Sequence, residues 1–89
     1  MTEREVLKKI KDLCIQHHAT RIILYGSRAK GTNTPRSDFD IAVSGVPDLD
    51  VLREKIDDLP TLYTIDILDL DEPHSPELME DIKQYGISI

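Results

Sequence analysis

Apolar residues recur at helical spacing in three segments of the chain, and each segment is bounded by residues that are typical of helix ends. Thr2 and Glu5 form a capping box before the first helix, which continues to about His18. The second helix covers residues 51–59, with Asp48 or Asp50 as its N-cap and Pro60 after its end. The third begins at Ser75 and Pro76 and ends at Gly86. We therefore predict three amphipathic helices.

Three other segments are rich in β-branched and apolar residues, which is typical of β-strands. They span residues 21–25, 38–44 and 61–70, and the final residues, 87–89, are compatible with a short additional strand. The predicted order is helix, strand, turn, strand, helix, strand, helix. Because strands and helices bury their apolar sides against each other, we expect an α/β (α+β) fold with helices packed on one face of a small mixed sheet.

The length and composition favour one globular domain over residues 1–89. The chain has 89 residues, of which 39% are hydrophobic and 31% charged, and it lacks an apolar run of the roughly 18 residues that a membrane span needs. The first ten residues lack the apolar core of a secretory signal, and the lone Cys14 cannot form an internal disulfide. We expect a cytoplasmic protein that does not enter a membrane.

The distribution of charge narrows the class of ligand. The net charge of −6 and the pI near 4.9 argue against a protein whose main task is to coat nucleic acid. Between Asp12 and Asp38, however, there is no acidic residue, and this window contains four cationic residues: Arg21, Arg28, Lys30 and Arg36. A locally cationic site on an acidic protein suits a small anionic ligand better than a polymer.

A glycine-bracketed segment, GSRAKG, follows the first predicted strand. Gly26 allows a tight turn and a close approach of the backbone, and Gly31 ends what we predict to be a single helical turn. Amide groups at the start of that turn can face an anion, Ser27 adds a hydroxyl donor, and the Arg28 guanidinium suits phosphate oxygens. Glycine turns with an arginine are common, so this segment alone is weak evidence for phosphate binding.

Three aspartates make the case stronger. Asp38 and Asp40 lie two residues apart in the second predicted strand and therefore project from the same face. Asp66 lies between Ile65 and Ile67, so it faces away from the core, on the side that carries the other two carboxylates if the strands are neighbours. Such a group of carboxylates could bind a hard divalent cation such as Mg²⁺, which prefers oxygen ligands and retains substrate phosphates as partners.

The segment GSRAKGTNTPRSDFDIAV, followed by a later strand aspartate, resembles the nucleotidyltransferase fold family related to DNA polymerase β. Within that family it is most similar to the minimal nucleotidyltransferases (MNT proteins) of prokaryotes. The matching residues are Gly26, Ser27, Arg28, Gly31, Ser37, Asp38, Asp40 and Asp66. The resemblance implies a polymerase β palm-like fold.

The resemblance also implies roles for these residues. Gly26 and Ser27, with Arg28 and Ser37, would bind the nucleoside triphosphate. Asp38 and Asp40 would bind two Mg²⁺ ions, and Asp66 would complete the second metal site and help to deprotonate the attacking hydroxyl. The implied reaction is in-line attack of a hydroxyl on the α-phosphorus of ATP, so that AMP is transferred and pyrophosphate leaves.

We expect the acceptor to come from another molecule, because larger members of the superfamily bind it with a further domain, for which 89 residues leave no room. In the MNT family the usual partner is a separately encoded helical HEPN protein, a toxin, and the MNT chain is the antitoxin. The resemblance therefore implies a protein acceptor, a HEPN partner and a homo- or hetero-oligomer.

Two other functions stay open at this point. The chain could be a non-catalytic or nucleotide-binding module that neutralises a partner by contact. It could also be a subunit of an aminoglycoside- or tRNA-directed nucleotidyltransferase. These alternatives differ in whether the aspartates are needed and in which acceptor is modified.

Overall fold

Helices and strands alternate along the computed structural model, which describes residues 1–89. The elements are α1 (Glu3–Gln16), β1 (Arg21–Tyr25), α2 (Ser27–Lys30), β2 (Phe39–Ser44), α3 (Leu49–Asp57), β3 (Ile65–Asp69), α4 (Pro76–Tyr85) and β4 (Ile87–Ser88). The three predicted helices and the single helical turn are confirmed. None of the helices has the length and apolarity that crossing a lipid bilayer requires.

Side chains cap the three longer helices. Thr2 and Glu5 form the predicted capping box at α1. Of the two candidate caps for α3, Asp48 is the one used, because its side chain accepts a hydrogen bond from the Val51 amide at 3.3 Å. Ser75 accepts from the Leu78 amide at 3.2 Å at the start of α4. The sequence signals for helix starts therefore correspond to hydrogen bonds that satisfy free amides.

The four strands form one mixed sheet in the order β3-β2-β1-β4. The β2 and β3 strands are parallel, whereas β1 is antiparallel to both β2 and β4. The N-terminal ends of β2 and β3 and the C-terminal end of β1 consequently meet at the same edge of the sheet. This edge contains the glycine turn and the three aspartates.

The main core fills one face of the sheet. Helices α1 and α3 lie on this face, and alternate residues of β1 and β2 point toward them. Its buried members are Val6, Ile10, Cys14, Ile22, Leu24, Phe39, Ile41, Val43, Leu52 and Ile56. Burial raises the pKa of the Cys14 thiol to about 11, so this cysteine is an inert core residue.

Helix α4 corrects one detail of the prediction, because it packs on the opposite face of the sheet. Ile82 of α4 contacts Ile23 and Ala42, which have the opposite strand parity to the main core. These strand residues are apolar and would be exposed if all helices lay on one face. The α+β fold with a mixed sheet is confirmed. On the face that carries the aspartates, however, α4 covers the part around Ile23 and Ala42, and only the end with the aspartates is left uncovered.

Strand β3 is shorter than the predicted 61–70. The preceding residues form a turn in which Thr61 accepts a hydrogen bond from the Tyr63 amide at 3.2 Å, and the Thr61 amide donates to Leu59 at 2.8 Å. Regular pairing begins at Ile65, which lies opposite Phe39. The predicted terminal strand is confirmed as β4, which pairs with Ile23 and Leu24 of β1.

Candidate functional site

Three side chains lie in one row across the strands. Asp40 of β2 is directly opposite Asp66 of β3 on one side and Tyr25 of β1 on the other. Residues directly opposite each other in a sheet project from the same face, so the two carboxylates and the phenol share one surface. Asp38, two residues before Asp40, immediately precedes β2. The structure therefore brings Asp40 and Asp66 together on one face, whereas Asp38 lies just outside the paired strand.

Gly26 provides the space for the Asp40 carboxylate. Its φ is 72°, a conformation that L side chains rarely adopt, and a Cβ at this position would overlap the Asp40 side chain. Glycine is therefore required here for two independent reasons. The glycine turn and the aspartate pair, which are separated in sequence, form a single site.

Helix α2 consists of one turn after Gly26. No side chain caps its N-terminus, so the first amides, at Ser27 and Arg28, have no capping partner. Gly31 ends the turn in the left-handed conformation with φ 76°. The turn thus begins beside the Asp40 side chain, at Gly26, with free backbone amides that suit phosphate binding.

The carboxylates interact with one another electrostatically. Partial burial, followed by the charges of Asp66 and Asp38, raises the pKa of Asp40 above its ordinary value. Burial and the charges of Asp40 and Asp66 raise the pKa of Tyr25 as well, so the phenol stays protonated and remains a hydrogen-bond donor. A cation bound among the carboxylates would relieve their mutual repulsion.

The oxygen donors of this site suit a divalent cation that retains other ligands. No three histidine, cysteine, aspartate or glutamate side chains are placed so that they could hold a metal ion together, so the protein alone would supply fewer than three ligands. Mg²⁺ is commonly held by one or two carboxylates and completed by water and substrate phosphates. Oxygen donors beside a glycine turn, with their charges uncompensated, fit such a partly open site.

The Arg28 side chain lies away from the carboxylates. Its Nε and Nη2 atoms donate to the Ser37 carbonyl oxygen at 3.1 Å and 2.7 Å, and Nη1 pairs with Glu3 at 3.1 Å. The Ser37 hydroxyl accepts a hydrogen bond from the Thr34 amide at 2.9 Å. Both residues therefore hold the loop that leads into β2, whereas the family resemblance implied that they bind the nucleotide.

The other cationic residues do not form the single pocket that the charge pattern suggested. Lys30 pairs with Asp81 of α4 at 2.7 Å and lies 5.2 Å from the Tyr85 ring. Arg21 is at the far end of β1, opposite Ser44. An acid-free stretch of sequence does not place its cations together, because helix and strand geometry directs their side chains to different sides.

Tyr25 is a residue of this surface that sequence reasoning missed. The signal was available, since it immediately precedes Gly26 and has the strand parity of Ile23 rather than that of the main core. Only the antiparallel pairing with β2, however, brings it beside Asp40.

Comparison with known proteins agrees with this geometry. The family model described as "Polymerase beta, Nucleotidyltransferase" matches residues 8–89. No sequence among the curated proteins is similar enough to match. The chain belongs to the polymerase β-type nucleotidyltransferase family.

Solved structures with the same fold include three informative ones. A protein described as a minimal nucleotidyltransferase is 25% identical with a TM-score of 0.72, covering 97% of this chain and 91% of its own. A toxin–antitoxin with AMP-PNP is 28% identical with a TM-score of 0.71, covering 91% and 69%. A MntA–HpeT toxin–antitoxin mutant with two Asp-to-Glu substitutions is 25% identical with a TM-score of 0.70, covering 91% and 69%.

Proposed function

We propose that this chain, acting as one domain over residues 1–89, is a Mg²⁺-dependent nucleotidyltransferase. It transfers AMP from ATP to a hydroxyl of a partner protein, and it is the antitoxin of a toxin–antitoxin pair. The partner is a helical protein of the HEPN type. The observation that carries the proposal is the row formed by Asp40 and Asp66 on one face of the sheet, directly beside Gly26.

Each part of the site has a chemical task in this proposal. The α2 amides and the Ser27 hydroxyl bind phosphate oxygens, and the absence of a side chain at Gly26 lets the triphosphate approach the carboxylates. Asp38, Asp40 and Asp66 would hold two Mg²⁺ ions, which neutralise charge on the attacking and leaving oxygens when bound. Asp66 also accepts the proton of the attacking hydroxyl, and Tyr25 donates a hydrogen bond.

The similar structures support the nucleotide and the partner. One of them is a toxin–antitoxin with AMP-PNP, an ATP analogue. Another is a toxin–antitoxin mutant with aspartates replaced by glutamates two positions apart, the same spacing as Asp38 and Asp40. We carry the nucleotide, the paired aspartates and the toxin partner over to this chain as parts of the proposal.

A transfer assay with two labels tests the chemistry. The protein is incubated with Mg²⁺ and with the protein encoded beside it, using ATP labelled at either the α- or the γ-phosphate. We expect the α-label to become attached to the partner and the γ-label to leave as pyrophosphate. Attachment of the γ-label would indicate a kinase, and equal α-labelling by the Asp38→Ala, Asp40→Ala variant would contradict the proposal.

Neutralisation by contact alone is the second candidate. It is favoured by a similar solved structure, described as a toxin–antitoxin mutant in which two aspartates are replaced by glutamates. Growth rescue of toxin-expressing cells by the double Asp→Ala variant would support this candidate. Loss of rescue, with the complex still formed, would support the transferase. Separate screens with aminoglycosides and tRNA as acceptors test the remaining alternative.

A further inference from the structure

The Arg28 guanidinium lies inside the protein, with only 5% of its side chain exposed. All three of its nitrogen atoms have partners in the chain. Nε and Nη2 form a fork on the Ser37 carbonyl oxygen, at 3.1 Å and 2.7 Å, and Nη1 pairs with Glu3 of α1 at 3.1 Å. The guanidinium therefore has no nitrogen left over for a ligand unless one of these contacts is broken.

Aromatic contacts hold the guanidinium from another side. Its central carbon lies 4.1 Å from the centroid of the Phe39 ring and 5.2 Å from that of Tyr63. The two rings contact each other edge to face, with centroids 5.3 Å apart. A lysine would not reproduce this contact together with the two-nitrogen hydrogen bond, since its ammonium is a compact point charge.

These contacts involve both neighbours of Asp38. Ser37, immediately before Asp38, accepts the guanidinium fork, and Phe39, immediately after it, provides the stacking ring. Phe39 is also the residue that separates Asp38 from Asp40, and it points to the opposite face of β2. A displacement of Arg28 would therefore change the backbone from which both carboxylates project.

We propose that Arg28 is a positioning residue that joins the glycine turn to the aspartate pair, and that it sets the geometry of Asp38 and Asp40 without contacting the nucleotide. The proposal rests on the proposed function, since it concerns how the same site is assembled. It replaces the direct phosphate contact that the sequence alone suggested. Arg28 lies in α2, and its side chain contacts the residues on either side of Asp38. It would therefore link a phosphate bound at α2 to a cation bound at the carboxylates.

The Arg28→Lys variant separates the two roles. It retains the positive charge but loses the fork and the ring stacking. Calorimetry measures ATP affinity with and without Mg²⁺ for the wild type, for this variant and for Arg21→Lys, a matched change at the exposed far end of β1. We expect the affinity in Mg²⁺ to fall about 10- to 100-fold, as for other residues that orient metal ligands, and the affinity without Mg²⁺ to change little.

Equal losses with and without Mg²⁺ would identify Arg28 as a direct phosphate ligand and overturn the proposal. No loss, or an equal loss in Arg21→Lys, would also overturn it. Circular dichroism and the melting temperature establish that each variant is folded. Arg28→Lys is preferred to Arg28→Ala because it keeps a partner for the Glu3 carboxylate.

A second measurement uses manganese alone and does not depend on nucleotide binding. Bound Mn²⁺ broadens NMR signals of nearby residues, and we expect broadening around Asp38, Asp40 and Asp66 in the wild type that weakens in Arg28→Lys. If the wild type binds Mn²⁺ here but never binds ATP, the proposed function fails and the inference about Arg28 survives. Absence of Mn²⁺ broadening at these residues in the wild type would overturn the inference.

A double-mutant cycle tests whether Arg28 acts through the ring. Phe39→Leu removes the stacking surface, so it should reproduce the Mg²⁺-specific loss. If both residues act on the same backbone segment, the double variant with Arg28→Lys loses little more than the more severely affected single variant. Additive losses would show that Arg28 acts independently of Phe39 and would contradict the proposed connection.

Discussion

The Gly26 backbone lies against the Asp40 carboxylate, so a single methyl group at this position should disrupt the site. Gly26 has φ 72° and ψ −155°, a backbone conformation that is essentially restricted to glycine and costs other residues about 1–3 kcal/mol; the added Cβ of Gly26→Ala would also overlap Asp40. Overpacking of this kind adds about 1–3 kcal/mol. We expect a lower melting temperature than in the wild type and loss of Mg²⁺-dependent ATP binding by calorimetry.

Gly31→Ala is the matched control. Gly31 also has a positive φ, of 76°, but a Cβ there has nothing within 4 Å. Gly31→Ala should therefore be destabilised only by the unfavourable left-handed conformation, and it should still bind ATP. If the two alanine variants are equally destabilised and equally active, the contact between Gly26 and Asp40 has no functional role.

Asp40 should reduce the stability of the folded protein at neutral pH. Its folded-state pKa is raised from the ordinary value of 3.8 by burial, then by Asp66 and Asp38, so the charged form is less favourable in the folded chain than in the unfolded one. The stabilising contribution of the protonated group is present below about pH 4 and is lost as the pH rises through the raised pKa.

Asp40→Asn should therefore raise the melting temperature at pH 7, because the unfavourable charge is removed from the folded chain. The gain should vanish near pH 3, where Asp40 is already neutral. Thermal unfolding at both pH values measures this, and Glu54→Gln on the exposed side of α3 controls for the general loss of one negative charge. A decrease at pH 7 would show that Asp40 is stabilised by contacts rather than strained by its neighbours.

At the scale of single residues, strand alternation predicted correctly that Asp40 and Asp66 lie on the same face. It did so because parity in a strand is fixed by backbone geometry alone. The direction of Arg28 could not be predicted in this way, because α2 is one turn long and offers no periodicity. Its side chain is directed by a carbonyl, a ring and a carboxylate that only the folded chain brings together.

At the scale of elements, Asp71 fastens the end of β2 to the segment after β3. Its carboxylate accepts hydrogen bonds from the Gly45 amide at 2.9 Å and from the Ser44 hydroxyl at 2.6 Å. These bonds, the amide first, lower the pKa of Asp71 below its ordinary value of 3.8. The stability they contribute is therefore present above pH 3.8 and is lost as the pH falls through the lowered pKa.

Asp71→Ala should lower the melting temperature at pH 7 by a few degrees, and the difference from the wild type should shrink as the pH falls below 3.8. Melting curves between pH 2 and 7 measure the trend. Glu72→Gln, at the exposed neighbouring position, should show no such trend. A difference that is constant with pH would mean that the Asp71 charge is not involved.

Element identities were predictable and element boundaries less so. Helix starts were well defined because Thr2, Asp48 and Ser75 have side chains that bond free amides. The start of β3 was not, because Thr61 to Thr64 continue the apolar and β-branched composition of the strand. Only hydrogen bonding within the turn, together with pairing that begins at Ile65, separates the two segments.

For the whole molecule, the face that carries the aspartates is divided into two regions. Helix α4 covers the apolar region around Ile23 and Ala42, while the region with Asp40 and Asp66 is left uncovered at the other end of the strands. Sequence patterns could not predict this division, because they show that α4 is amphipathic but not which face it contacts. In the uncovered region the aspartate carboxylates repel one another, and the net charge of the chain is −6. A cation bound there can relieve this repulsion.

Mg²⁺ and ATP together should therefore stabilise the whole domain more than either does alone. A ligand that binds only the folded state contributes RT ln(1 + [L]/Kd), which is about 1.4 kcal/mol at ten times Kd and corresponds to about 6–11 °C here. Differential scanning fluorimetry with Mg²⁺, ATP, both and neither measures the four melting temperatures. The Asp38→Ala, Asp40→Ala variant should lose the excess stabilisation by the combined ligands, because the remaining carboxylate cannot hold the cation against the phosphates. Equal shifts in the variant and the wild type would mean that the ligands bind elsewhere on the protein.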